Sequence, residues 1–279
     1  MKVFNSRLQE AFQTKSVLKV ITGIHNTNIQ QVMKIAKAAE LSNATYLDVA
    51  SNTYLVKMLK SFSRLPICIS SIDPVDIYNG VSSGADLVEI GNYDFFYDQG
   101  IYLNKEQILE LSKEIKCLVY NVDICVTIPY YLNLADQISL AKDLQLLGIN
   151  FIQTEGISKI NCTKFDINLT KSPSSFYNLH NSFIPSLLST YFISEFIDLP
   201  IIAASGYKNI FGPIAKFYGA YGIGIGSAVY KEIDIISMSN YINQTYNSLS
   251  LFSSLNSFSD IESELSKLPF SCLENFFNI

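Results

Sequence analysis

The chain has 279 residues, 48% of them hydrophobic and 16% charged, with a formal net charge of −5. That composition supports a buried core and excludes a disordered chain, while the acidic balance, with an isoelectric point near 5.1, argues against a nucleic-acid surface, which needs a basic face. Five cysteines with no Cys-x-x-Cys pair predict a reduced compartment without disulfide or zinc site, and no apolar run of signal-peptide or membrane-spanning kind is present, so the reading is a soluble protein with no membrane partner.

Short apolar runs alternate with longer amphipathic segments. Val17–Ile24 reads as the first strand, followed by a helix from about Asn28 to Leu41. Thr45–Ala50 is the second strand, with a helix near Thr53–Phe62, and Pro66–Ile72 is the third, with Pro74 suited to the first turn of the next helix. Leu87–Ile90 is the fourth, with a helix near Lys105–Ile115. Leu118–Val126 is the fifth, followed by a long helix that Gly148 can stop. Asn150–Thr154, Pro200–Ala204 and Tyr221–Ile225 complete the set, and the remainder reads as helical.

Eight β–α units in sequence predict parallel pairing with right-handed crossovers. The predicted fold is therefore a (β/α)₈ TIM barrel of the α/β class, one domain over residues 1–279. The barrel is expected over about 17–233 and a helical segment over about 234–279. A doubly wound open sheet is the alternative, but it would carry its glycine-rich turn after the first strand. Here that turn follows the last strand.

The most specific local signal is Pro200–Gly206 (PIIAASG) followed by Tyr221–Val229 (YGIGIGSAV). A phosphate group needs several backbone N–H donors to converge without side chains in the way, and glycine allows that approach. In many barrels the loops after strands seven and eight supply the donors. Ser205, Gly206, Gly226 and Ser227 are the expected phosphate ligands, and a small phosphorylated molecule is the expected partner. Glycines that merely permit tight strand-to-helix turns are the bland reading.

Alternate residues of a barrel strand face the helices and the interior. The aliphatic parity (Val20, Leu47, Val49, Ile67, Ile69, Val88, Ile90, Val122, Ile124, Ile152, Ile202) assigns the opposite parity inward. That inward set is polar: Lys19, Asp48, Ser70, Glu89, Asn121, Asp123, Gln153, Glu155 and Ser205, with His25 a candidate at the mouth. Buried charges must pair, bind a ligand or reach water. Asp123 and Glu155 are expected late in their strands, facing the mouth as general acid or base. Lys19, Asp48 and Glu89 are expected deeper, as catalytic groups or as an ion-pair layer. Asp123 and Glu155, as crowded carboxylates, can also hold Mg²⁺. Two long loops, Gly91–Asn104 with its aromatic side chains and Gly156–Asn181 with three lysines, suit lids.

Three segments, Leu65–Ser71 (LPICISS), Ala85–Asp94 (ADLVEIGNYD) and Phe151–Gly156 (FIQTEG), resemble the hypothetical chloroplast reading frame twenty-three family of algal plastids and cyanobacteria. The resemblance covers nearly the whole chain. It implies an aldolase-type barrel, encoded in and resident in the plastid. It implies no reaction.

Three functions fit these residues. One is an isomerase, lyase or synthase acting on a small phosphorylated metabolite. A second is an oxidoreductase holding FMN by its phosphate in the same place. A third is a non-catalytic anion-binding regulator. The oligomeric state is open.

Overall fold

The computed structural model describes residues 3–23, 26–91, 93, 97, 99–156, 183–204 and 212–251. Its centre is a closed barrel of eight parallel strands: β1 (Val17–Ile21), β2 (Tyr46–Ala50), β3 (Ile67–Ser71), β4 (Leu87–Ile90), β5 (Asp123–Ile128), β6 (Phe151–Thr154), β7 (Ile201–Ala203) and β8 (Gly222–Ile225). The strands follow one another around the barrel, and β8 pairs back to β1 with Val17 opposite Gly222. That closing seam requires glycine, because a side-chain carbon at Gly222 would stand 2.1 Å from the Val17 carbonyl oxygen.

Ten helices are described: α1 (Ser6–Gln13), α2 (Ile29–Glu40), α3 (Thr53–Phe62), α4 (Pro74–Ser82), α5 (Lys105–Leu118), α6 (Leu134–Leu147), α7 (Ile184–Ser194), α8 (Gly212–Phe217), α9 (Ser227–Tyr230) and α10 (Ile235–Leu251). The abundant asparagine has a local role. Asn5, Asn28, Asn52, Asn104 and Asn133 each cap a helix by accepting a backbone N–H of its first turn, and Asp73 does so ahead of Pro74. Each such cap stabilises its helix by about 1 kcal/mol. Gly148 ends α6 in the left-handed region (φ 80°), as its place in the sequence predicts.

The period-two pattern separates two cores. Leu18, Val20, Leu47, Val49, Ile67, Ile69, Val88, Ile90, Ile124 and Val126 face outward and pack against the helices. Val17, Tyr46, Cys68, Leu87, Cys125, Phe151 and Ile202 point into the lower half of the barrel. Leu8 and Phe12 of α1 close that lower core, with the Phe12 ring 5.2 Å from that of Phe151. The sequence reading gave the N-terminal segment no role, although Asn5, Leu8 and Phe12 carry the cap and spacing of a short amphipathic helix.

Four expectations are corrected. The fifth strand starts at Asp123, not Leu118, because α5 runs on to Leu118 and the chain turns at Asn121 in the left-handed region (φ 56°). Asn121 is therefore exposed and not inward. Asp123 consequently begins its strand, at the end of the barrel opposite the mouth, where its carboxylate accepts the N–H groups of Phe4 (2.8 Å) and Asn5 (2.9 Å). Ile202 faces inward with Phe151 and Tyr46, since β7 presents Ile201 and Ala203 to the helices. On this packing, Phe12→Ala should cost about 3–5 kcal/mol in a urea titration. Tyr120→Ala, at an exposed position, should stay within about 0.5 kcal/mol. Equal effects would mean that α1 does not close the barrel.

Candidate active site

Above the apolar floor the inward positions turn polar. Lys19 of β1, Asp48 of β2, Ser70 of β3, Glu89 of β4, Thr127 of β5 and Gln153 of β6 are all buried. Their side chains converge. The Lys19 ammonium lies 2.8 Å from Asp48 Oδ2, donates to Gln153 Oε1 at 2.8 Å and pairs with Glu89. Ser70 donates to Asp48 Oδ1 at 2.6 Å. Glu89 Oε1 accepts from Gln153 Nε2 at 2.8 Å and from the Thr127 hydroxyl at 3.0 Å.

Lysine has three N–H donors and no acceptor. Two are given to Glu89 and Gln153, and Asp48 Oδ2 pairs with the ammonium by charge without a hydrogen bond of its own. Burial works against the charged amine, but Asp48 and Glu89 outweigh it and hold the Lys19 pKa above the ordinary lysine value. A Schiff-base nucleophile needs the neutral amine, so this lysine is fitted to act as a fixed positive charge. Two carboxylates face that one cation. Burial raises the Glu89 pKa above the usual range, with Lys19 opposing and Asp48 adding to the rise. Glu89 is thus the group of this cluster best suited to carry a proton.

Expected phosphate ligands and acids divide as follows. Glu155, just beyond β6, accepts from the Tyr97 hydroxyl and from the Tyr130 backbone N–H (3.2 Å). Tyr97 is packed within a group of tyrosines, parallel to Tyr102 (centroids 5.2 Å apart) and edge-on to Tyr130 and Tyr131. Burial and Glu155 both push the Tyr97 pKa far up, so it stays a neutral donor. Asp123 lies on the far side of the apolar floor and is not part of this constellation. Gly226 ends β8 and Ser227, exposed, starts α9. Ser205, Gly206 and His25 lie outside the described residues, as do the loop lysines 159, 164 and 171.

Below Gly226 the lumen is closely packed on small residues: a side-chain carbon at Gly224 would stand 3.2 Å from Ala204 Cβ, 3.3 Å from Ile21 Cδ1 and 3.6 Å from the Lys19 stem. Tyr230 was not singled out in the sequence, although it sits three residues after Ser227. Its hydroxyl lies at the β1 and β8 ends, 3.2 and 3.1 Å from where a side-chain carbon on Gly23 or Gly226 would be. Burial, with Asp48 adding, pushes its pKa up to about 12.

Among the described residues no group of three or more His, Cys, Asp or Glu side chains is arranged to hold a metal ion. Asp123 and Glu155, the carboxylates expected to suit Mg²⁺, are not brought together: Asp123 begins β5 and accepts from Phe4 and Asn5, while Glu155 follows β6 and accepts from Tyr97. A separate hollow of about 530 Å³ opens near the N-terminal end of β1, lined by Arg7, Glu10, Thr14, Asn43, Lys216 and Tyr246 among others.

The profile of a family described as "Protein of unknown function (DUF561)" matches residues 4–254. The chain belongs to the DUF561 family. Its relatives include the uncharacterized protein ycf23 of Antithamnion sp., 46% identical over 245 residues (88% of each chain). The ycf23 protein of Porphyra purpurea is 40% identical over 247 residues, 88% of this chain and 89% of that one. These are proteins of algal plastids. Among solved structures the barrel is similar to thiamine phosphate pyrophosphorylase from Pyrococcus furiosus, at TM-score 0.56 and 15% identity over 87% of this chain and 99% of that one. It is also similar to (S)-3-O-geranylgeranylglyceryl phosphate synthase from Thermoplasma acidophilum, solved with sn-glycerol-1-phosphate (TM-score 0.57, 13% identity, 89% and 98%). A third is 3-hexulose-6-phosphate synthase from Salmonella typhimurium (0.57, 12%, 85% and 99%). At these identities the likeness shows the aldolase-type barrel.

The charged layer makes a stability prediction. Lys19→Met leaves two buried carboxylates without their counter-ion and should cost about 3–5 kcal/mol. Glu89→Gln leaves one ion pair, and its amide can still serve its neighbours. Because the folded-state Glu89 pKa is raised, the native state binds more protons than the unfolded one above the ordinary glutamate value. The parent's stability at this site therefore falls as pH rises through that window. Urea titrations at several pH values should show Glu89→Gln gaining on the parent with rising pH; the opposite trend would contradict the assignment.

Proposed function

We propose that this DUF561 protein is an enzyme of the isomerase, lyase or synthase class that acts on a small phosphorylated metabolite in the plastid, in soluble form. The observation that carries this reading is the buried Lys19–Asp48–Glu89–Gln153 cluster one layer below the mouth. The interior of such barrels is ordinarily filled by bulky aliphatic side chains. Charges placed there cost several kcal/mol of desolvation that packing alone would not require.

The phosphate is held by backbone N–H groups of the loops after β7 and β8, with Ser205, Gly206, Gly226 and Ser227 as its ligands. The rest of the substrate faces the Lys19 layer from the mouth. Lys19 fixes Asp48 and Glu89 and lends positive potential to an oxyanion or enolate forming above it. Glu89, with its raised proton affinity, and Glu155 at the rim are the acid and base. The Tyr230 hydroxyl, between the β1 and β8 ends, lies within reach of the phosphate ligands. The phosphorylated partners named for the barrel's structural neighbours agree with this reading.

The test is a thermal-shift screen against inorganic phosphate, sugar phosphates and FMN. A ligand at about 100 times its dissociation constant adds about 2.7 kcal/mol. The control is Ser227→Glu, which sets a negative charge at an exposed position. Gly226 is less suitable for it, because any side chain there meets Tyr230 and Ile21. A shift lost in Ser227→Glu supports the phosphate site; a yellow protein stabilised by FMN alone would move the reading to a flavoprotein. With the stabilising sugar phosphate as substrate, Glu155→Gln should abolish turnover and keep the shift. Binding that needs Glu155 and is indifferent to Ser227 would overturn the assignment.

A further inference from the structure

Helix α7 is apolar on more than one face. Its buried face sets Leu187 and Ile193 in the core beside hydroxyls: Ser186 and Thr190 reach Thr154 of β6, with Thr154 Oγ1 3.0 Å from Ser186 Oγ and 2.7 Å from Thr190 Oγ1. Its outward face carries Ile184, Leu188, Tyr191 and Phe192, continued by Phe196 just past its end. That is the three- and four-residue spacing of an apolar helix stripe, turned to the surface. Leu146 of α6 extends it. The two helices are tied at this edge by Lys142, whose ammonium lies 4.6 Å over the Phe196 ring, and by the Asp198 N–H, which donates to Gln145 Oε1 at 2.6 Å.

These six side chains are between 38% and 85% exposed. At ~200 Å² for a large side chain, they present about 600 Å² of apolar surface. That is at the upper end of the ~300–600 Å² of a monomer's largest apolar patch, a size that often marks a functional surface. It approaches the ~800 Å² per partner of a standard protein interface. The bordering charges have opposite sign, Lys142 on α6 and Glu195 at the end of α7. A surface so bordered can face a copy of itself without like charges having to oppose. The chain's net charge of −5 and the single lysine at this edge give an anionic membrane little to attract.

We propose that the α6–α7 face is the interface of a homodimer, with the stripe from Ile184 to Phe196 of one copy packed on the same stripe of the other about a two-fold axis. The interface does not depend on the reading of the barrel mouth.

The test is sedimentation equilibrium of the full chain at micromolar concentration, beside the double variant Leu188→Glu/Phe192→Glu and the control Leu41→Glu, exposed on α2's end. The parent and the control should sediment at about 62 kDa, twice the 31.2 kDa chain, and the double variant at the single-chain mass with unchanged circular dichroism. Should the double variant fail to fold, hydrogen exchange of the parent decides: protection of α7 amides should fall on dilution. A monomeric parent overturns the proposal, including the case in which residues 252–279 cover this face. A dimer that persists in the folded double variant, or α7 protection independent of concentration, overturns it equally.

Discussion

The Lys19 ammonium is the interaction on which the rest of the site depends. It is fully buried, donates to Glu89 and Gln153 and lies 2.8 Å from Asp48 Oδ2 in an ion pair. Four strands thereby meet at one atom. Ser70 and Thr127 extend the grip to two more, since they donate to Asp48 and Glu89. Buried charges of this kind persist only when they are paired. The arrangement therefore both rigidifies the barrel's waist and leaves two carboxylates sharing one cation, and burial raises the proton affinity of Glu89.

The surrounding packing protects that state. Below it, α1 and the Phe12–Phe151 contact close the barrel, and Asp123 holds the incoming chain by two backbone N–H groups. The thiols of Cys68 and Cys125 lie between floor and charges, and burial raises both pKa values, so they behave as small apolar groups. Above it, Gly224 packs closely against Ala204, Ile21 and the Lys19 stem on the β7–β8 side, while Gln153, Glu155 and the tyrosines that pack round Tyr97 occupy the β4–β6 side.

Much of this was legible in the chain. Period-two alternation in β1 to β4 separated Lys19, Asp48 and Glu89 from their aliphatic neighbours correctly, because five- and four-residue strands flanked by clear turns leave little freedom of register. The same logic failed in β5. The run from Cys117 to Val119 is apolar because it ends α5, and the real strand begins four residues after Val119. Asp123 was thereby moved from the floor to the mouth. In β7 three residues gave too short a pattern to fix parity, and Ile202 was turned the wrong way. The convergence of five polar side chains around one lysine is a tertiary fact with no local signature. Tyr97 and Tyr230 reach the mouth from segments outside the strands, where periodicity carries no signal.

The central claim is that the barrel mouth of this DUF561 protein receives a phosphate group at the ends of β7 and β8, above the Lys19 layer. It is tested most directly by a crystal structure grown with inorganic phosphate. The account predicts a tetrahedral anion within hydrogen-bonding distance of the Gly226 and Ser227 backbone N–H groups. An anion found instead in the hollow lined by Arg7 and Lys216, with none at the mouth, would contradict it.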